Sequence, residues 1–393
     1  MSNRIPVSSW PSFTDEEVAA AAAVIASNKV NYWTGQEGRL FEREFAAWAG
    51  SAHAVALANG TLALDVALKA MGIGSGDEVI VTPRSFIAST STVVNAGATP
   101  VFADVDPDSG NISAATIAPV ITDRTRAIIP VHLAGWPCDM DAIMALAAEQ
   151  GIGVIEDCAQ AHGARIGDRS VGTIGHVGAW SFCQDKIMTT GGEGGMVTTD
   201  DADLWSAMWS FKDHGKSFDA VYNREHPPGF RWVHESFGTN WRMLEVQAAI
   251  GRIQLGRMRD WTARRTSIAD AIASALAPFA DAVRVPRPAP SMTHAYYRQY
   301  AYVRPDGLRP GWSRDHIVAE LNARGVRVMQ GSCSEIYLEK AFDGTPWRPK
   351  DRLPVARELG ETSLMFLTHP TMTDEEIDHL GVELRRIFDL AGR

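Results

Sequence analysis

Between about residues 50 and 200, short runs rich in aliphatic and β-branched residues alternate with helical patterns, and this alternation leaves few folds open. Strands are predicted at 54–58, 78–81, 100–103, 127–131, 153–156, 178–182 and 196–199, with helices at 61–71, 87–96 and 140–150 between them. The pattern implies an α/β domain with a seven-stranded, mostly parallel or mixed sheet covered by helices on both faces. Ligands of such sheets bind beyond the carboxyl ends of the strands, so the residues just after each strand are the ones to read for chemistry.

After Asp200 the texture changes. Residues 204–212 read as helix, and 213–240 form a polar, aromatic stretch with His226-Pro227-Pro228-Gly229 and no clear periodicity. A stretch that long inside a compact enzyme is usually functional, here a substrate lid or a dimer contact. A helix resumes at 243–258, where small Ala248, Ala249 and Gly251 permit close packing. A second helix starts at Trp261, and a strand is expected at 296–303. The division expected is a large domain over 1–260, with an N-terminal helical arm, and a smaller one over 261–393.

The chain has 393 residues, 45% of them hydrophobic, which is enough for two domains with large cores. Its formal net charge of −10 argues against nucleic-acid or anionic-membrane surfaces. No apolar run reaches the roughly 18 residues of a membrane span, and the start, Met1 to Ser8, lacks the apolar region of a signal peptide. Four scattered cysteines, Cys138, Cys158, Cys183 and Cys333, form no CxxC pair and suit reduced residues of a cytoplasmic protein. His132, His162 and His214 show no i, i+4 spacing, so no metal site is expected.

Two strand ends carry the chemistry. Lys186 follows the strand at 178–182 and precedes Gly191-Gly192-Glu193-Gly194-Gly195; Asp157 ends Val154-Ile155-Glu156-Asp157. A lysine projecting into a closed site loses hydration, its pKa falls from about 10.4, and the neutral amine attacks a carbonyl to form an imine. An isolated lysine is ordinarily a solvated charge; Asp157 changes the odds. Pyridoxal phosphate needs such a pair, one group holding its aldehyde and the other its protonated pyridine nitrogen. Gly60 and Thr61 open a helix after a strand, a ready anion site, although an ordinary capped helix has the same residues. Ser181 is placed to donate to the same phosphate, or is simply a small strand residue. Phe86 sits where an aromatic stacks on a flat ring or packs in the core. Arg84 is open between a phosphate contact and a loop salt bridge. His214 and Arg231, in the long loop, are candidate substrate contacts for which structural hydrogen bonds account equally.

Together with Gly76-Asp77-Glu78-Val79-Ile80, Gly97-Ala98-Thr99-Pro100, Glu156-Asp157-Cys158-Ala159-Gln160-Ala161-His162-Gly163, Gly192-Glu193-Gly194-Gly195 and Asn240-Trp241-Arg242-Met243, these residues closely resemble the DegT/DnrJ/EryC1/StrS sugar aminotransferases. The resemblance runs from about Phe41 to Met258 and more weakly beyond. It implies pyridoxal phosphate fold type I, with Lys186 as the covalent lysine and proton shuttle and Asp157 as the partner of the pyridine nitrogen. It implies further that Gln160 bonds the ring hydroxyl, that Phe86 stacks on the ring, and that Gly60, Thr61 and Ser181 cradle the phosphate. Asn240 is then the residue that reaches the phosphate from a neighbouring subunit, making a homodimer with shared sites. Cys183-Gln184-Asp185, Thr239 and Trp241 depart from the family pattern and bear on substrate contacts. The activity implied is transfer of an amino group, with glutamate as donor, to a keto-sugar carried on a nucleotide, in a ping-pong cycle. A cyclitol ketone is the alternative acceptor. A sugar dehydratase of the same fold has histidine in place of the lysine, and a non-catalytic regulator is disfavoured by the intact Lys186 and Asp157.

Overall fold

The computed structural model describes residues 8–393; the leader reading of Met1 to Val7 lies outside them. Seven strands form the central sheet in the spatial order His53–Leu57, Gly195–Thr199, Val177–Ser181, Gly153–Asp157, Thr125–Ile129, Glu78–Val81, Thr99–Phe102. Only Gly195–Thr199 runs antiparallel to its neighbours. Every residue of Glu78–Val81, Val177–Ser181 and Gly195–Thr199 is buried. That is why these strands read as continuous runs rather than alternations: helices cover both faces. The helices carry local start and stop signals. Asn59 caps Gly60–Ala70 through the amide of Leu62, and Asp139 caps Met140–Gln150, which Gly151 ends at φ 64°.

A second, four-stranded antiparallel sheet follows in the order Val283–Arg284, Arg298–Val303, Ser363–Leu367, Val328–Met329. One core beneath it joins Ile268, Ile272 and Leu276 to Leu384, Ile387 and Phe388 of the C-terminal helix Asp374–Ala391. Thr373 and Glu376 close that helix's N-terminus reciprocally as a capping box.

The structure alters several sequence expectations. The two helices expected at 243–258 and from Trp261 are one, Glu245–Leu276. Asp260, Trp261 and Thr262 include no glycine or proline to break it, and the buried positions Met258, Arg265 and Ile268 continue one face across the join. The boundary drawn at 260 therefore falls inside a helix. The small residues on that helix do permit close approach, since a Cβ on Gly251 would lie 2.7 Å from Phe41 Cζ. The stretch at 213–240 contains a short helix, Phe218–Tyr222, capped by Ser217, and is pinned by bridges Asp213 to Asn240 and Lys216 to His234. The strand expected from Tyr296 starts at Arg298, because Tyr296 takes a positive φ of 45°. A three-stranded sheet of two-residue strands, Arg165–Ile166, Arg169–Ser170 and Met292–Thr293, had no sequence signal.

Candidate active site

At the carboxyl ends of the central strands lies a cavity of about 730 Å³, within the range typical of small-molecule sites. Gly60, Thr61, Phe86, Asp157, Gln160, Ser181 and Lys186 all line it. Asn240, His214 and Arg231 do not. Asn240 and His214 are exposed on the long loop, and the Arg231 guanidinium donates to the carbonyls of Ala220 and Val221, which accounts for it structurally.

Asp157 ends its strand 5% exposed. One carboxylate oxygen accepts from the Ser89 hydroxyl at 2.8 Å and the other from the Ala159 amide at 3.1 Å. These bonds orient the acid toward the cavity and leave a lone pair on each oxygen for a further partner. Beneath it, the neighbouring Glu156 is fully buried. Burial raises its pKa, but His132 and the amides of Gly172 and Gly175 outweigh this and hold it below the ordinary carboxylate range. His132 Nδ1 accepts from the Cys138 amide, so Nε2 carries the proton and donates to Glu156 at 2.9 Å. With both ring nitrogens engaged, the cluster of His132, Glu156 and Cys158, which has metal-ligating types close together, is a hydrogen-bonded support for the strand end.

Gln160 accepts from the Ala134 amide at 2.7 Å, fixing its carboxamide so that its NH₂ remains uncommitted at the cavity wall. Ser181 and Gly60 touch: a Cβ at position 60 would lie 2.5 Å from Ser181 Cβ, so only glycine fits. Asn59 satisfies the Leu62 amide. Among the described residues nothing accepts from the amides of Gly60 and Thr61, and with the Ser181 hydroxyl they form a concave set of donors suited to phosphate. Phe86 is 66% exposed and lines the open volume instead of packing in the core. These features fit pyridoxal phosphate: an anion cradle at one end, a buried acid at the other, an aromatic face between, and an amine within reach.

Lys186 has a side chain 14% exposed, with Nζ 3.9 Å from Asp185 Oδ1 and 5.3 Å from the Tyr297 ring centroid. Its carbonyl accepts from the indole of Trp10 at 2.8 Å, which ties the N-terminal arm to the lysine turn. Sequence reading missed the cavity's other wall: Tyr297, Arg298, Met329, Ser332 and Met365 all come from the C-terminal sheet and its loops. The only signal was the cluster of aromatics and a cation in Tyr296-Tyr297-Arg298, and nothing local to it points to Lys186. Arg84 does not line the cavity and makes no salt bridge among the described residues. It is fully buried over Tyr300 and Tyr302, with ring centroids at 5.1 and 5.9 Å, and donates to Ser334.

Comparison with known proteins agrees with this geometry. A family model for the DegT/DnrJ/EryC1/StrS aminotransferase family matches residues 11–385. GDP-perosamine synthase of Caulobacter vibrioides is 36% identical over 384 residues, covering 94% of this chain and 98% of that protein. An aminotransferase from Psychrobacter cryohalolentis superimposes with a TM-score of 0.97 at 62% identity, over 98% of this chain and 99% of the other. DesV of S. venezuelae does so with a TM-score of 0.85 at 33% identity, over 95% and 94%. The architecture is that of pyridoxal phosphate fold type I, as the sequence implied. This chain belongs to the DegT/DnrJ/EryC1/StrS aminotransferase family.

Proposed function

We propose that this protein is a pyridoxal phosphate-dependent aminotransferase that converts a keto-sugar, carried on a nucleotide, to the amino sugar, with glutamate as donor. The observation that carries the reading is the convergence on one cavity of Lys186, Asp157, Gln160, Phe86 and the Gly60–Thr61–Ser181 cradle. The names of relatives acting on GDP-, UDP- and dTDP-linked amino sugars support the substrate class.

Pyridoxal phosphate, when bound, would supply an electron sink and an amino-group carrier, chemistry that gives ping-pong kinetics. Asp157, oriented by Ser89 and Ala159, keeps the pyridine nitrogen protonated. The donors at Gly60, Thr61 and Ser181 hold the phosphate, Gln160 the ring hydroxyl, and Phe86 covers the ring. Lys186 would hold the cofactor's aldehyde and, as a free amine, would take up and return the proton at the donor's α-carbon. The working unit is a homodimer in the cytoplasm, with Asn240 reaching the neighbouring site. Phe230, Trp232 and Phe237, exposed on the same loop, support an interface there.

Adding glutamate to the protein loaded with pyridoxal phosphate is expected to convert the cofactor absorbance to the pyridoxamine form, and a nucleotide keto-sugar to restore it. Lys186→Ala is expected to retain the cofactor noncovalently and to lose turnover; full activity in that variant would end the assignment.

A further inference from the structure

We infer that Trp10 is a positioning residue for Lys186: its indole N–H fixes the peptide plane from which the lysine side chain springs, and ties the aim of Nζ to the seating of the second sheet. The inference rests on the aminotransferase reading above.

The lysine turn has little structure of its own. Residues 182–194 lie in no helix or strand, and the turn is held by single contacts. The Lys186 amide donates to the Cys183 carbonyl at 3.1 Å, and the Thr189 amide to Gln254 Oε1 at 2.8 Å. Among the described residues the Lys186 carbonyl has one donor, Trp10 Nε1 at 2.8 Å. That carbonyl shares a rigid plane with the amide of Ile187, whose side chain is fully buried, as is that of Met188. Buried anchors hold one end of the plane and the indole holds the other. What remains free to aim Nζ is the torsions of the lysine side chain itself.

Trp10 is in turn held on several sides. Its ring meets Trp261 edge-on with centroids 5.1 Å apart, and the Arg265 guanidinium carbon lies 5.2 Å from its centroid. Both residues belong to the helix Glu245–Leu276. On another side it stacks with His369, just beyond the strand Ser363–Leu367, at 6.4 Å. The two residues before it are tied to the same region. The Thr371 hydroxyl donates to the Ser9 carbonyl at 2.8 Å, and the amide and hydroxyl of Ser8 donate to Glu376 at 2.5 and 2.7 Å. Further along the arm, buried Glu17 accepts at 2.6 Å from Gln254, the side chain that receives the Thr189 amide. The arm thus grips the turn at residues 186 and 189.

On its other side the turn meets the second sheet directly, where the Tyr297 hydroxyl donates to Asp185. An aromatic plug would need only a ring at position 10. The indole also spends its single N–H donor on the carbonyl of the residue that carries the reacting amine, which a plug does not require.

The test deletes the N–H and keeps the ring. Trp10→Phe is the first variant. The second replaces the position-10 indole by its benzothiophene analogue, which keeps the two-ring shape with sulfur where the N–H was; it decides if Trp10→Phe does not fold or load cofactor. Wild type and variants are loaded with pyridoxal phosphate, and borohydride reduction with peptide mapping checks that Lys186 carries the label. Single-turnover rates are then measured with glutamate and, from the pyridoxamine form, with a nucleotide keto-sugar. Lys186 moves the proton in both halves, so both limiting rates are expected to fall by a similar factor, roughly 3–10-fold, the worth of one hydrogen bond. Half-saturating concentrations are expected to move less than about twofold, since no substrate contact is removed. The visible circular dichroism of the bound cofactor, which reports how the chromophore is held, is expected to change in the same variants. Lower urea stability with unchanged rates and dichroism would overturn the inference and leave Trp10 as packing. A loss confined to one half-reaction, or carried by the half-saturating concentrations, would overturn it too. A wild type that takes no label at Lys186, or is inert to every amino donor, sinks the aminotransferase reading itself, and that is seen before any variant is made.

Discussion

Buried ionisable residues around the site divide by how their charge is handled, and this sets how the protein responds to acid. His162 sits fully buried between the rings of Trp180 and Phe182, and burial, then Lys186 and Arg265, push its pKa down to about 3. Burial likewise takes His294 to about 3. Both are neutral in the fold but take protons at about 6.5 once unfolded. The unfolded state therefore binds more protons below pH 6.5, and stability falls as pH drops from there toward 3. Glu156 is held below its ordinary value, so its contribution is complete above about 4.5. That contribution is lost only as pH falls through its depressed value. The histidines' contribution to the unfolding free energy measured with urea is thus expected to decline from about pH 6.5, by at most about 1.4 kcal/mol per pH unit for each histidine. His162→Phe is expected to flatten that upper part, and Glu156→Gln to flatten only the limb below about pH 4.5. An identical pH dependence between pH 7 and 5 in His162→Phe and the wild type would contradict the His162 assignment. At this scale the sequence was informative where a residue's place follows from a strand end, as with Asp157, Ser181 and Gly60, which all line one cavity. It was uninformative for Arg84, whose partners Ser334, Tyr300 and Tyr302 lie more than two hundred residues away.

Elements were legible in proportion to the locality of their causes. The seven central strands and the helices between them were readable because continuous apolar runs, caps and turn glycines act over a few residues. The long helix Glu245–Leu276 was read as two because its exposed positions around Asp260 are polar, and only the packing of its buried face onto the helices Asp15–Ala26, Glu37–Ala49 and Asp374–Ala391 makes it one. This continuity has a direct check. Asp260 is exposed within the helix, and aspartate is itself a poor helix former, so Asp260→Gly is expected to cost only about 0.3 kcal/mol but Asp260→Pro about 2–3 kcal/mol or more in urea denaturation. If the chain had a joint at this position, the proline would be nearly neutral.

For the whole molecule, the cavity wall opposite Lys186 comes from the second sheet, so the site exists only when the two sheets are packed together. The loop at 213–240 presents Trp232 at 81% and Phe237 at 99% exposure, surfaces expected to be covered by a second copy of the chain. Trp232→Asp with Phe237→Asp is expected to shift the mass measured by light scattering from dimer to monomer and to weaken cofactor retention together. A variant that stayed dimeric would place the interface elsewhere. The sequence by itself determined the fold class, the strand ends that bear Asp157 and Lys186, and the helix start at Gly60 and Thr61 that follows a strand. These follow from short-range rules of periodicity and capping. The tertiary structure alone decided that Tyr297 and Arg298, over a hundred residues beyond Lys186, share its cavity with Asp185 between them. A contact across that separation is set by how two hydrophobic cores dock, and no local pattern in the chain encodes it.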